Sequence, residues 1–208
     1  MSFFHFPHHF VYWTKVENHE DIKKKYLPVI KDNENNTMFN NPFPLCDVNT
    51  SFRLKELNKF LHEDTITKNV VWDPLMNMIN EHNKKNLFTI DHKASIINDA
   101  WYNTYKLNQF QETHNHRGSY IYHNNAKYYQ TYSVIYIIDC AEERNNTVFK
   151  LDGPLPFINI NEDCKFNTSK VEDIGEGTVI IFSSLLNHFV LPIYNSRTTI
   201  SYNISTIL

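Results

Sequence analysis

The stretch Gln111-Glu112-Thr113-His114-Asn115-His116-Arg117-Gly118 decides how the whole chain is read. Taken as a β-strand, it sends His114 and His116 to one face of a sheet, with Glu112 beside them, because strand side chains alternate with period two. Two imidazoles so placed can bind one metal ion from neighbouring positions. His188 sits far downstream at the edge of another strand-like run, and Arg197 follows inside a further strand. Two near ligands, a distant third and a basic residue soon after it point to a metal inside a small β-barrel, with an anionic ligand alongside. The plain alternative is that His114 and His116 only hydrogen-bond at a strand end. A chain with 11 histidines gives that alternative weight.

The bulk numbers narrow the classes. A length of 208 residues suits one domain, 1–208, with its own core. A hydrophobic share of 41% with only 4 Gly describes a folded chain, not a disordered one. The net charge of −3 offers no basic footprint, so no nucleic-acid partner is expected. No apolar run has the length of a bilayer span, so no membrane partner is expected either. The first residues, Met1 to His9, lack the basic and uninterrupted apolar parts of a signal peptide. Cys46, Cys140 and Cys164 show no C-x-x-C spacing, which favours a reducing compartment and a cytoplasmic location. The abundance of Asn, Lys and Ile reads as coding bias.

Along the chain, Phe10 to Val16 is rich in β-formers and predicts a first strand. His5, His8 and His9 before it are read as an aromatic, packing or fraying terminus, not a metal cluster. From Asn18 the pattern turns helical: Asn18 as cap, Glu20 and Asp21 at the positive end, and Ile22, Tyr26, Leu27 and Ile30 on one face. Pro28 predicts a kink or an early end. A segment from Cys46 to Phe52 is expected to be extended, and Leu54 to His62 helical. Asp73-Pro74 predicts a helix start, with Leu75, Met78 and Ile79 facing the core. From Ala100 the chain becomes a series of short strands: 100–105, 109–116, 131–138, 147–151, 178–182, 188–193 and 198–204. Asn145-Asn146, Asp152-Gly153-Pro154, Gly175-Glu176-Gly177 and Asn195-Ser196 mark turns between them. Helices over about 17–98 followed by strands over about 99–204 predict an α+β fold with one β-core, a sandwich, jelly roll or barrel.

A divalent metal held by three protein groups on one face keeps positions open, which suits a non-haem Fe(II) centre that binds a co-substrate and O₂. Three neutral imidazoles leave the ion's charge uncompensated and so favour a dianionic chelator. Arg197 is the natural partner for its far carboxylate, since a guanidinium grips a carboxylate through two parallel hydrogen bonds. Thr199 and Ser201 share the strand face of Arg197 and add hydroxyls. Taken alone, Arg197 would be an ordinary strand arginine at the core edge.

Three groups of residues now resemble a known family. Ala100-Trp101-Tyr102-Asn103, Thr113-His114-Asn115-His116 and Tyr132-Ser133-Val134-Ile135-Tyr136 are followed by Gly177 to Ser184, His188 and Arg197 to Asn203. In order and spacing, over about residues 99–204, these are similar to 2-oxoglutarate/Fe(II)-dependent oxygenases of bacteria and tailed phages. The resemblance implies a double-stranded β-helix, or jelly roll. It implies Fe(II) on His114, His116 and His188, and 2-oxoglutarate on the iron and Arg197. It makes Asn103, Tyr132 and Tyr136 candidate ligand contacts, with Ser133 facing away. It also implies hydroxylation of an unidentified substrate, with 2-oxoglutarate and O₂ as small-molecule co-substrates and release of succinate and CO₂. The usual family motif is His-x-Asp/Glu, and this chain has His116 in the acidic position. Three arrangements follow: a three-histidine site; a pair formed by His116 and a vacancy at Gly118, as in iron halogenases; or Glu112 with His114 as the near pair. Two other classes compete with the oxygenase. One is a cupin-like metalloenzyme that does not use 2-oxoglutarate, and the other is a metal-free β-sandwich with a binding or structural role. Residues 120–130 and 164–176 are expected to be loops that wall the pocket, with His123, Tyr128 and Tyr129 as possible substrate contacts.

Overall fold

The computed structural model describes residues 2–6, 9–37, 45–84, 94–116, 118, 120–141, 147–150 and 165–207. Two antiparallel sheets face each other. The large sheet runs in the order β1 (Ser2–Phe6), β2 (His9–Lys15), β10 (Thr178–Ser183), β7 (Ala126–Cys140), β12 (Arg197–Thr206), β4 (Ser95–Tyr105) and β3 (Asn49–Thr50). The small sheet runs β5 (Gln111–His114), β11 (Asn187–Val190), β8 (Thr147–Lys150) and β9 (Lys165–Asn167). From β4 to β12 the chain passes repeatedly between the two sheets. That alternation is the jelly-roll winding that the resemblance implies, one of the three β-architectures the strand series leaves open.

Side-chain parity explains how the large sheet serves two cores. On β12, Ile200, Tyr202 and Ile204 join Val134, Tyr136 and Ile138 of β7 in a cluster with Ile22, Tyr26, Leu75 and Met78 from the helices. The odd-numbered residues of β7, Ile135 and Ile137, instead meet Phe149, Phe166 and Phe182 between the sheets. Both faces of the sheet are therefore dry, and every residue of β12 is buried.

Helix α1 (His19–Asp32) buries Ile22, Tyr26, Leu27 and Ile30, the face its spacing predicts. Two details differ from the sequence reading. Asn18 makes no side-chain cap, its carbonyl oxygen accepting from Ile22 N–H at 3.2 Å instead. Pro28 lies inside the helix, which continues to Asp32: the carbonyl that loses its partner belongs to exposed Lys24, where water can replace it. The helix of Asp73–Lys84 begins where the sequence places it, but Asp73 is itself helical and does not act as a cap. α2 (Glu34–Thr37) is a single turn, but α3 (Asp64–Thr67) leads through a π-helical turn at Lys68–Trp72 directly into α4 (Asp73–Lys84). The wider turn sits where the ring of Pro74 would meet the carbonyl of a regular helix. Residues 54–62 hold only a 3₁₀ turn at Lys59–His62. The expected 120–130 loop is a hairpin, β6 (Ile121–His123) with β7, turned by Asn124 and Asn125 at φ 47° and 63°. Two successive left-handed residues are what a tight hairpin turn of this hand requires, and asparagine tolerates them. The turns at 145–146 and 152–154, together with Cys164, lie outside the described residues. Among the described residues no helix is long and apolar enough to cross a membrane.

Candidate metal centre

β5 and β11 pair so that His114 and His188 are opposite each other in register. β5 ends at His114, and His116 lies just past it. There His116 N–H donates to Ser184 O at 2.8 Å, which fixes the backbone beyond the strand. The three rings gather at the same point: centroids are 4.2 Å apart for His114 and His188, 5.0 Å for His116 and His188, and 5.3 Å for His114 and His116. One nitrogen from each lies within 4.8 Å of the other two.

The outward-facing nitrogens settle the tautomers. His114 Nδ1–H donates to Glu112 O at 2.7 Å, His188 Nδ1–H to Leu186 O at 3.2 Å, and His116 Nδ1–H to Asn203 Oδ1 at 2.7 Å. Carbonyl oxygens only accept, so each Nδ1 must carry its proton. In a neutral ring each Nε2 then presents a lone pair. His116 Nε2 and His188 Nε2 face each other at 3.3 Å, two lone pairs that repel unless a cation lies between them. Burial keeps the rings neutral: it pushes His116 down to about 3, helped by His114, and it lowers His114 and His188 as well. Aromatic rings hold the imidazoles in place. Trp101 stacks on His116 at 5.6 Å, and Phe182 meets His188 edge-on at 4.8 Å. This donor set fits a divalent metal ion.

The histidines stand between two spaces. A narrow inner cavity reaches from His116 to Arg197 between the sheets. Arg197 is 2% exposed, donates from Nη2 to Thr147 Oγ1 at 2.9 Å, and lies 5.6 Å above the Tyr105 ring. Asn103, Thr199 and Ser201 line the same cavity. The outer cleft opens on the other side of His114 and His116, past Trp101, Asp99 and Asn203.

Two expected contacts are corrected. Tyr132 and Tyr136 belong to the helix-facing side of β7: Tyr132 packs near Phe10, and Tyr136 hydrogen-bonds to His19 Nδ1 at 2.7 Å. Neither lines the cavity. Ser133 does, donating to Asn203 Oδ1 at 3.2 Å. The reason is that both faces of this strand are buried, so apolar alternation carries no sign of which face is inward. The alternative near pair also changes: Glu112 contributes its backbone carbonyl to His114, and its carboxylate is not among the converging donors. A Cβ at Gly118 would meet the movable side chain of Gln130, whose Oε1 is 2.1 Å from that point. Sequence reading gave no role to Asn203, Gln111 or Thr147. Their signal is only register, Asn203 lying on the Arg197 face of β12.

No family model matches the chain, and no curated protein matches it by sequence. Solved structures do match. HygX from Streptomyces hygroscopicus with nickel and 2-oxoglutarate bound superposes with a TM-score of 0.57 at 7% identity, covering 93% of this chain and 81% of that one. A Pseudomonas putida prolyl-4-hydroxylase gives 0.53 at 10% identity, over 93% of this chain and 91% of that one. An oxidoreductase of the 2OG-Fe(II) oxygenase family from Burkholderia pseudomallei gives 0.45 at 17% identity, over 73% of this chain, which spans 56% of that chain. At these identities the likeness to the first two is one of fold.

Proposed function

We propose that this chain is a non-haem Fe(II)- and 2-oxoglutarate-dependent dioxygenase of the hydroxylase type. The observation that carries the reading is the locking of three Nδ1–H tautomers, which turns three Nε2 lone pairs toward one point beside a cavity that ends in a buried arginine. The fold supports it: HygX, whose structures hold nickel with 2-oxoglutarate or iron, has the same architecture.

In this reading His114, His116 and His188 hold the iron. Arg197 binds the far carboxylate of 2-oxoglutarate, with Thr199 and Ser201 as hydroxyl partners and Asn103 beside them. When bound, iron with 2-oxoglutarate and O₂ supplies the oxidation of a C–H bond to C–OH, with release of succinate and CO₂. The chain supplies position and dryness. Asn203 orients His116 from behind, Trp101 and Phe182 fix the rings, and the two sheets keep water from the Arg197 end, where a charge-assisted pair is strongest.

The test is succinate formation from 2-oxoglutarate with added Fe(II) and no other substrate. Wild-type protein forms succinate slowly, and His188→Ala forms none above the protein-free rate. Equal rates in the two proteins would overturn the assignment.

A further inference from the structure

The outer cleft has a polarity of its own. Asp99 on β4 and Asn203 on β12 are directly paired across the strands, which puts their side chains next to each other on one face. Both line the outer cleft. Asn203 is 6% exposed, and its Oδ1 is occupied by His116 Nδ1–H and Ser133 Oγ–H. What it has left is the Nδ2 amide, a donor with no partner among the described residues. Gln111, 7% exposed, is in the same state: its Oε1 accepts from Tyr105 O–H at 2.9 Å, which leaves its amide NH₂. Asp99 is an acceptor only, and makes no hydrogen bond or ion pair among the described residues. Phe52 and Trp101, edge to face at 5.1 Å, form an apolar wall alongside.

The cleft thus offers one carboxylate next to amide donors, with an aromatic wall. We propose that the primary substrate is a free α-amino acid, its ammonium on Asp99, its carboxylate on the Asn203 and Gln111 amides, and its side chain against Phe52 and Trp101. The inference rests on the metal and 2-oxoglutarate reading above, and charge balance links the two. Neutral imidazoles leave the metal's two positive charges whole, and Arg197 adds a third. The diacid co-substrate cancels two, and Asp99, which is exposed, places a carboxylate at the mouth of the cleft. A zwitterion meets a partner for each of its charges, the carboxylate at the mouth and the amides further in, whereas a simple amine or a simple acid would leave one set unused.

Binding tests this without turnover. Zn(II) is first titrated into the protein by calorimetry. The Zn(II)–2-oxoglutarate complex is then probed by saturation-transfer NMR with mixtures of free L-amino acids, and with their N-acetyl and methyl-ester forms. At least one free amino acid binds, and each blocked form binds about tenfold or more weakly, the loss of a hydrogen bond to a charged group. Asp99→Asn weakens the free amino acid by a similar factor and leaves Zn(II) affinity unchanged. If the Zn(II)-loaded protein takes up no free amino acid, or binds one undiminished after Asp99→Asn, the inference is wrong and the metal site stands. If wild-type protein does not bind Zn(II), the metal reading fails first.

Discussion

At His116 a single hydrogen bond decides what the ring can offer. Asn203 Oδ1 takes the Nδ1 proton, so Nε2 is a lone pair that faces its counterpart on His188. Asn203→Ala removes that acceptor and should weaken Zn(II) or Co(II) binding by roughly 10–100-fold, the usual cost of losing such a support behind a metal-binding histidine. Asn203→Asp keeps an acceptor and should retain most of the affinity, so a calorimetric titration of the two variants separates tautomer control from loss of packing. Arg197→Ala leaves the imidazoles intact. The half-saturating 2-oxoglutarate concentration in succinate assays should rise about 100-fold, corresponding to roughly 3 kcal/mol for a charge-assisted pair, while metal affinity holds. Wild-type protein that binds the metal but forms no succinate from 2-oxoglutarate would favour the cupin-like class, in which a chelating substrate meets the metal directly.

Elements are positioned by groups remote from the site. Helix α1 docks on the large sheet through Glu176, in the turn before β10. Its carboxylate accepts from Lys23 Nζ at 2.6 Å, from Cys140 N–H at 2.9 Å and from His19 Nε2 at 3.2 Å. Burial alone would raise the Glu176 carboxyl, but these hydrogen bonds outweigh it and hold it below its ordinary value of 4.5. A carboxyl lowered by folding stabilises the fold above its unfolded value, and that contribution fades as pH falls through the folded one. Glu176→Gln should therefore lower the melting temperature at pH 7, and the gap from wild type should close below about pH 4.5, as scanning calorimetry across pH would show. A gap that widened in acid would contradict the docking role. These elements also show where sequence reading succeeds. Ile22, Tyr26, Leu27 and Ile30 were legible because α1 has one wet face and one dry face. The strands of 100–204 were legible from their β-formers and turns. Tyr132 and Tyr136 were misplaced because β7 is dry on both faces and bears no alternation. Asp73-Pro74 marked the start of α4 correctly but not its cap, because a π-helical turn leads into Asp73.

For the whole molecule, a metal that binds only the folded state adds stability by mass action. Free metal at 100 times its dissociation constant contributes about 2.7 kcal/mol. For a chain of 208 residues that is a rise in melting temperature of about 5–10 °C. The rise should vanish with EDTA and in His188→Ala, because the ligands come from both ends of the jelly roll: β5 and the segment after it, and β11. The most direct test is X-ray absorption of the protein loaded anaerobically with one equivalent of Fe(II). The spectrum should show scattering from three imidazoles on a single iron, falling to two in His188→Ala. A wild-type spectrum with oxygen ligands alone, or with one imidazole, would contradict the convergence of His114, His116 and His188 on one ion.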